Sequence, residues 1–102
     1  MSVISLTKDS FQSEVLSSEK PVLIDFYAAW CGPCRMVSPL VDEIAGENTA
    51  VKVCKVDVDS EPELAQAFDV ASIPTLVVMK NGKVTAQAVG YRPKDEILSM
   101  LG

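Results

Sequence analysis

Histidine is missing from this 102-residue chain, and cysteine occurs only three times. Zinc normally takes four Cys or His ligands, and one chain with this set falls short of them. The odd cysteine count also argues against a framework of structural disulfides. No apolar run approaches the ~20 residues of a membrane-spanning helix, so no membrane partner is expected. The opening residues Met1-Ser2-Val3-Ile4-Ser5 carry no charged leader, long apolar stretch or cleavage site, so no export signal is expected. The expectation is a cytoplasmic protein whose thiols are mostly reduced and whose disulfides are catalytic. Positive charge is scarce: nine Lys and Arg face fourteen Asp and Glu, for a net −5. Phosphate binding needs the opposite sign, which weighs against nucleic acid as a partner. The acidic surplus reads as a solvated surface. Repeats, linkers and low-complexity segments are absent too. With 48% apolar residues, residues 1–102 make a single domain with a core that needs no staples.

What is present is organised around Trp30-Cys31-Gly32-Pro33-Cys34. Upstream, Val22 to Tyr27 is apolar except for Asp25 and reads as a buried strand. Downstream, Val37, Leu40, Val41 and Ile44 recur at the spacing of a helix with one apolar face. Cys31 therefore belongs on the turn leaving a strand, and Cys34 just inside the following helix. A thiol there faces unpaired N–H groups and the positive end of the helix dipole, which favour its thiolate. Cys31, the more exposed by position, reads as a nucleophile that attacks a substrate disulfide. Cys34 then resolves the mixed disulfide, leaving Cys31–Cys34 oxidised. Gly32 is expected to permit the tight turn and Pro33 to stiffen it.

The rest of the chain supplies the frame. Val3–Leu6 is a short strand candidate. Asp9 and Gln12 are placed to cap a helix with Phe11, Val15 and Leu16 on its apolar face. Pro39 lies inside the helix after the cysteines and is expected to kink it. Val51–Val58 reads as a second buried strand, parallel to the first. Ser60 and Glu63 form a capping-box pattern around Pro62, before Leu64, Ala67 and Phe68. Ile73-Pro74 precedes a strand at Thr75, and Asn81-Gly82 marks a hairpin between Thr75–Lys80 and Lys83–Val89. Pro93 opens a last helix carrying Ile97, Leu98 and Leu101. A parallel core with an antiparallel edge and helices on both faces follows from this order.

Several side chains have two readings. Asp25 is either buried, where desolvation raises its pKa and suits it to exchange a proton with Cys34, or it reaches water at the strand end. Lys55 either pairs with Asp25 and moderates its pKa or is a surface lysine. Trp30 is a core aromatic or, given its place beside Cys31, a half-exposed platform for a protein substrate. Cys54, among valines, reads as a buried inert thiol.

Taken together the residues resemble the thioredoxin family over essentially the whole chain. The segment Asp25-Phe26-Tyr27-Ala28-Ala29-Trp30-Cys31-Gly32-Pro33-Cys34-Arg35-Met36 follows that family's active-site run. Pro39, Lys55, Asp57, Ile73-Pro74-Thr75, Asn81-Gly82 and Gly90 fall at its other marked positions. The resemblance implies the thioredoxin fold, a mixed five-stranded sheet flanked by about four helices. It implies a cis Ile73–Pro74 bond against the cysteines, and a groove of Trp30, Gly32, Pro33, Ile73, Pro74 and Gly90 that docks extended substrate backbone. It also implies a monomer with no bound cofactor beyond the Cys31–Cys34 redox pair. Electrons would come from a flavin-dependent, NADPH-fed thioredoxin reductase or from a ferredoxin-linked one. Tyr27 stands where many members carry tryptophan, and Met79 replaces a common phenylalanine; neither touches the sulfur chemistry. The rival readings are a disulfide oxidase or isomerase, a non-catalytic thioredoxin-fold binding module, and a metal or iron–sulfur carrier built by two chains. Relatives that make disulfides usually carry His between the cysteines, whereas this chain has Gly-Pro.

Overall fold

The run Val22–Tyr27, apolar except for Asp25, forms a central strand, β2, with a neighbour on each edge. Its Ile24 and Phe26 pack into one core and its Leu23 into another, so both faces are covered and no polar alternation survives. The computed structural model describes residues 3–102; Met1 and Ser2 lie outside the described residues. β1 (Ile4–Ser5) and β2 both run parallel to β3 (Lys52–Asp57), which lies between them. β4 (Thr75–Lys80) is antiparallel to β2, and β5 (Lys83–Val89) is antiparallel to β4. The sheet order is β1-β3-β2-β4-β5, the mixed five-stranded α/β sheet expected from the sequence. Asn81 and Gly82 both adopt positive φ, 53° and 77°, the backbone that a two-residue hairpin turn demands.

One face is covered by a wide helical turn, Gln12–Leu16, and by α2 (Pro62–Ala67), whose Val15, Leu64 and Ala65 meet Ile24, Phe26 and Val56. The other is covered by α1 (Gly32–Glu47) and α3 (Lys94–Met100). There Val37, Val41, Ile44 and Ile97 meet Leu23, Val53, Leu76 and Val78. Pro39 lies inside α1.

Both expected helix caps are replaced. No side chain caps the Gln12–Leu16 turn. Ahead of it, the Thr7 and Ser10 backbone N–H groups donate to each other's hydroxyls at 3.0 and 3.1 Å, and Asp9 takes no part. α2 also starts without a side-chain cap. Glu61 accepts the Lys8 backbone N–H at 2.9 Å, and Glu63 pairs with the Lys8 ammonium at 2.8 Å. These carboxylates serve a segment more than fifty residues away, a claim that local sequence cannot foresee. Ala65 rather than Ala67 completes the buried stripe of α2, and Leu16 and Leu98 face outward.

Candidate active site

Antiparallel pairing of β2 with β4 sets Phe26 beside Thr75. The turn leaving β2 and the loop entering β4 therefore meet at one end of the sheet. Cys31 is the extended residue that precedes α1, and Cys34 stands in the helix's first turn. Their sulfurs are joined as a disulfide, with the Cα atoms 5.3 Å apart. The Cys34 N–H donates to the Cys31 sulfur at 3.2 Å. One of the orphan N–H groups of a helix terminus thus points at that sulfur, which favours negative charge on it once the bond is opened.

The margin of exposure between the cysteines is narrower than expected. Cys31 is 5% exposed and Cys34 2%, because Tyr27, Ala28, Val58 and Ile73 pack around both. The Ile73 carbonyl oxygen lies 3.8 Å from the Cys31 sulfur. The Ile73–Pro74 bond is cis, as the family resemblance implied. The Pro74 carbonyl accepts the Gly90 N–H at 2.8 Å, tying the end of β5 to the loop that faces the disulfide. Gly90 has φ +90°, a conformation that side chains resist. Gly32 differs: it begins α1, and a Cβ there would meet nothing within 4 Å. Its expected task of permitting a tight turn is not required by the backbone.

Trp30 is not a core aromatic: it is 68% exposed, with its indole N–H donating to Asp59 at 2.8 Å. Together with Ile73 it lines a hollow of about 430 Å³. Val58, Val70, Ala71 and Ser72 complete that lining and were not read from the sequence. The available signal was adjacency, since residues 70–72 lead directly into Ile73-Pro74. Gly32 and Pro33 lie exposed beside the disulfide, while Pro74 is buried.

Asp25 takes the buried reading. It is 0% exposed, and neither carboxylate oxygen has a hydrogen-bond partner among the described residues. Burial pushes its pKa up from 3.8 to about 6; the Lys55 ammonium opposes this and Asp42 reinforces it. Lys55 is the cross-strand neighbour of Asp25, yet the direct pair considered from sequence is not made. Its ammonium contacts Asp42 at 3.1 Å and donates to the Ser38 hydroxyl instead. Among the described residues, no three His, Cys, Asp or Glu side chains converge into a metal-binding group, and no helix is long and apolar enough to cross a membrane.

A family model described as Thioredoxin matches residues 2–102. The chain belongs to the thioredoxin family. A thioredoxin of Mycobacterium tuberculosis (strain ATCC 25618 / H37Rv) is 50% identical over 99 residues, 96% of this chain and 85% of its own. A thioredoxin of Pyropia yezoensis is 47% identical over 102 residues, 99% of this chain and 95% of its own. A bifunctional thioredoxin reductase/thioredoxin of Mycobacterium leprae (strain TN) is 48% identical over 96 residues, 93% of this chain and 21% of its own. As a thioredoxin-family protein, the chain is a dithiol–disulfide oxidoreductase with Cys31 and Cys34 as its redox pair.

The third cysteine of this thioredoxin-family chain lies apart from that pair. Cys54 is fully buried in β3, and burial pushes its thiol up to about 12. Iodoacetamide added to the reduced, folded protein at pH 8 is expected to spare Cys54 and to modify it only after denaturation. Mass spectrometry of the peptides reads the outcome, and rapid native labelling of Cys54 would contradict the inert assignment.

Proposed function

We propose that the whole chain acts as one domain that reduces protein disulfides, with Cys31 as the attacking sulfur and Cys34 as the resolving one. The observation that carries this assignment is the Cys34 N–H aimed at the Cys31 sulfur at the start of α1. In the dithiol form, the Cys31 thiolate attacks one sulfur of a substrate disulfide. A Cys31–substrate bond forms as the substrate S–S bond breaks, and the released thiolate takes a proton from solvent. Cys34 passes its proton to the Asp25 carboxylate and attacks the Cys31 sulfur. The Cys31–Cys34 bond forms, and the second substrate sulfur leaves as a thiolate that takes a proton from solvent, while Asp25 returns its proton to solvent. The substrate gains two electrons and two protons, and the pair is left oxidised.

The remaining groups have supporting tasks. Asp25, buried and without a hydrogen-bond partner, is the proton acceptor, and Lys55 moderates its ionisation through the field of its ammonium. Gly32 and Pro33, exposed beside the sulfurs, leave a low surface for an approaching chain and tune the stability of the disulfide. Trp30, Ile73, Pro74 and Gly90 border the groove that seats extended substrate backbone. Turnover needs an electron source, and the reductase fused to thioredoxin in the Mycobacterium leprae relative supports a thioredoxin reductase in that role. An NADPH-fed flavoenzyme is the proposed form, with a ferredoxin-linked one as the variant. The protein is proposed to work as a monomer in a cytoplasmic setting, and the Gly-Pro pair between the cysteines supports the reducing direction of its chemistry.

Cys34→Ser tests the division of labour. With its resolving sulfur gone, the variant is expected to accumulate a mixed disulfide through Cys31 when incubated with insulin. Intact-mass and peptide analysis would show the adduct. Its absence, or an adduct through another cysteine, would refute the assignment.

A further inference from the structure

Lys55 and Asp25 are directly opposite each other on β3 and β2, so their side chains leave the sheet on the same face. An ammonium on a flexible four-carbon stem beside a buried carboxyl that lacks hydrogen bonds is the arrangement from which an ion pair ordinarily forms. It has not formed. The ammonium is held from the other side by two groups of α1, the Asp42 carboxylate at 3.1 Å and the Ser38 hydroxyl. Ser38 and Asp42 are one helical turn apart and so project from the same side of α1. The ammonium also lies 6.0 Å from the centre of the Tyr27 ring.

We propose that Ser38 and Asp42 form a tether on α1 that draws the Lys55 ammonium away from Asp25 and keeps the buried carboxyl without an ion-pair partner. Ser38 is the positioning half, because its hydroxyl accepts from the ammonium without carrying charge. Asp42 supplies both attraction for Lys55 and a negative field at Asp25.

The surroundings of Asp25 leave few competitors for this control. On the Asp25 face β3 carries Lys55 and, opposite Tyr27, Asp57; α1 carries Asp42 and, in its first turn, the redox-active Cys34; and β2 itself contributes the half-buried Tyr27. β4 places the neutral Leu76 opposite Asp25. α3 packs through Ile97, while its Lys94 is engaged by Glu43 and Glu47 at 3.0 and 2.7 Å. Lys55 and Asp42 are also the two charges that act appreciably on Asp25, in opposite directions. Where the ammonium sits therefore decides how far burial can hold the carboxyl protonated. The catalytic consequence rests on the proposed reading of Asp25 as proton acceptor for Cys34; the tether itself does not.

The test follows the Asp25 side-chain carboxyl by carbon NMR through a pH titration of the reduced full-length protein. Ser38→Ala removes a hydroxyl without changing charge and suits a helix. It is expected to lower the Asp25 midpoint by about half a pH unit, as the freed ammonium moves toward the carboxyl. Ser38→Thr, which keeps the hydroxyl, is expected to retain the wild-type midpoint. In a Lys55→Met background, Ser38→Ala is expected to do nothing. An unmoved midpoint in Ser38→Ala, or the same shift without Lys55, overturns the tether. The pH dependence of insulin reduction is recorded in parallel. If the midpoint falls while that profile stays put, the tether stands and the proton-acceptor reading of Asp25 falls.

Discussion

Cys31→Ser is expected to reduce insulin disulfide turnover by at least ~10³-fold, a loss of about 4 kcal/mol of transition-state stabilisation. The size follows from what the position offers. The Cys34 N–H and the start of α1 favour negative charge on the Cys31 sulfur. A hydroxyl at the same site stays protonated and forms no bond of comparable stability with sulfur. Cys34, only 2% exposed, is poorly placed to take over an attack on an incoming substrate. Chemical denaturation should show the variant close in stability to the reduced wild-type protein, separating loss of chemistry from loss of fold. Turnover within tenfold of wild type would remove Cys31 from the nucleophilic role.

Asp25→Asn is expected to stabilise the protein and slow it at once. The unfolded carboxyl titrates near 3.8, and burial in the folded protein pushes that value up to about 6. The folded state therefore holds the proton more tightly than the unfolded one. Below pH 3.8 both are protonated and Asp25 costs nothing through ionisation. Between 3.8 and 6 the cost of a buried charge grows, and above 6 it is complete, at about 3 kcal/mol from 1.36 kcal/mol per pH unit. A neutral amide resembles the neutral acid in burial cost, so the variant escapes only the ionisation part. Urea unfolding should give Asp25→Asn an advantage of about 3 kcal/mol at pH 8 that shrinks toward pH 4. A difference independent of pH would contradict the buried ionisation. Turnover should fall most near neutral pH, where Cys34 needs an acceptor. The deficit should close above pH ~9, where thiols ionise unaided.

The readings that succeeded from sequence were those whose cause lies within a few residues. The Val22–Tyr27 run is apolar at every position but Asp25 because its strand is covered on both faces, and Asn81-Gly82 has the backbone freedom a two-residue turn requires. The spacing of Val37, Val41 and Ile44 marks the face of α1 that meets the sheet. Failures arose where a distant partner won. Glu61 and Glu63 answer to Lys8 rather than to the end of their own helix. Lys55 shows this most clearly. Strand order alone puts it beside Asp25, but the carboxylate it contacts comes from a helix, and a helix's rotation against the sheet is a matter of packing. The groove was half legible for the same reason: Trp30 and Ile73 were anticipated, while Val58 joins them only because β3 ends beside the β2 turn.

The meeting of β2 with β4 has a consequence for the chain as it is being made. Cys31 and Ile73 are 42 residues apart in sequence, yet the Ile73 carbonyl lies against the Cys31 sulfur. A ribosome-bound polypeptide that has just released the cysteines has no wall opposite them and no strand to carry one. The sulfurs emerge long before the cleft proposed to seat their targets. Whatever that cleft contributes to discrimination arrives only with the final third of synthesis.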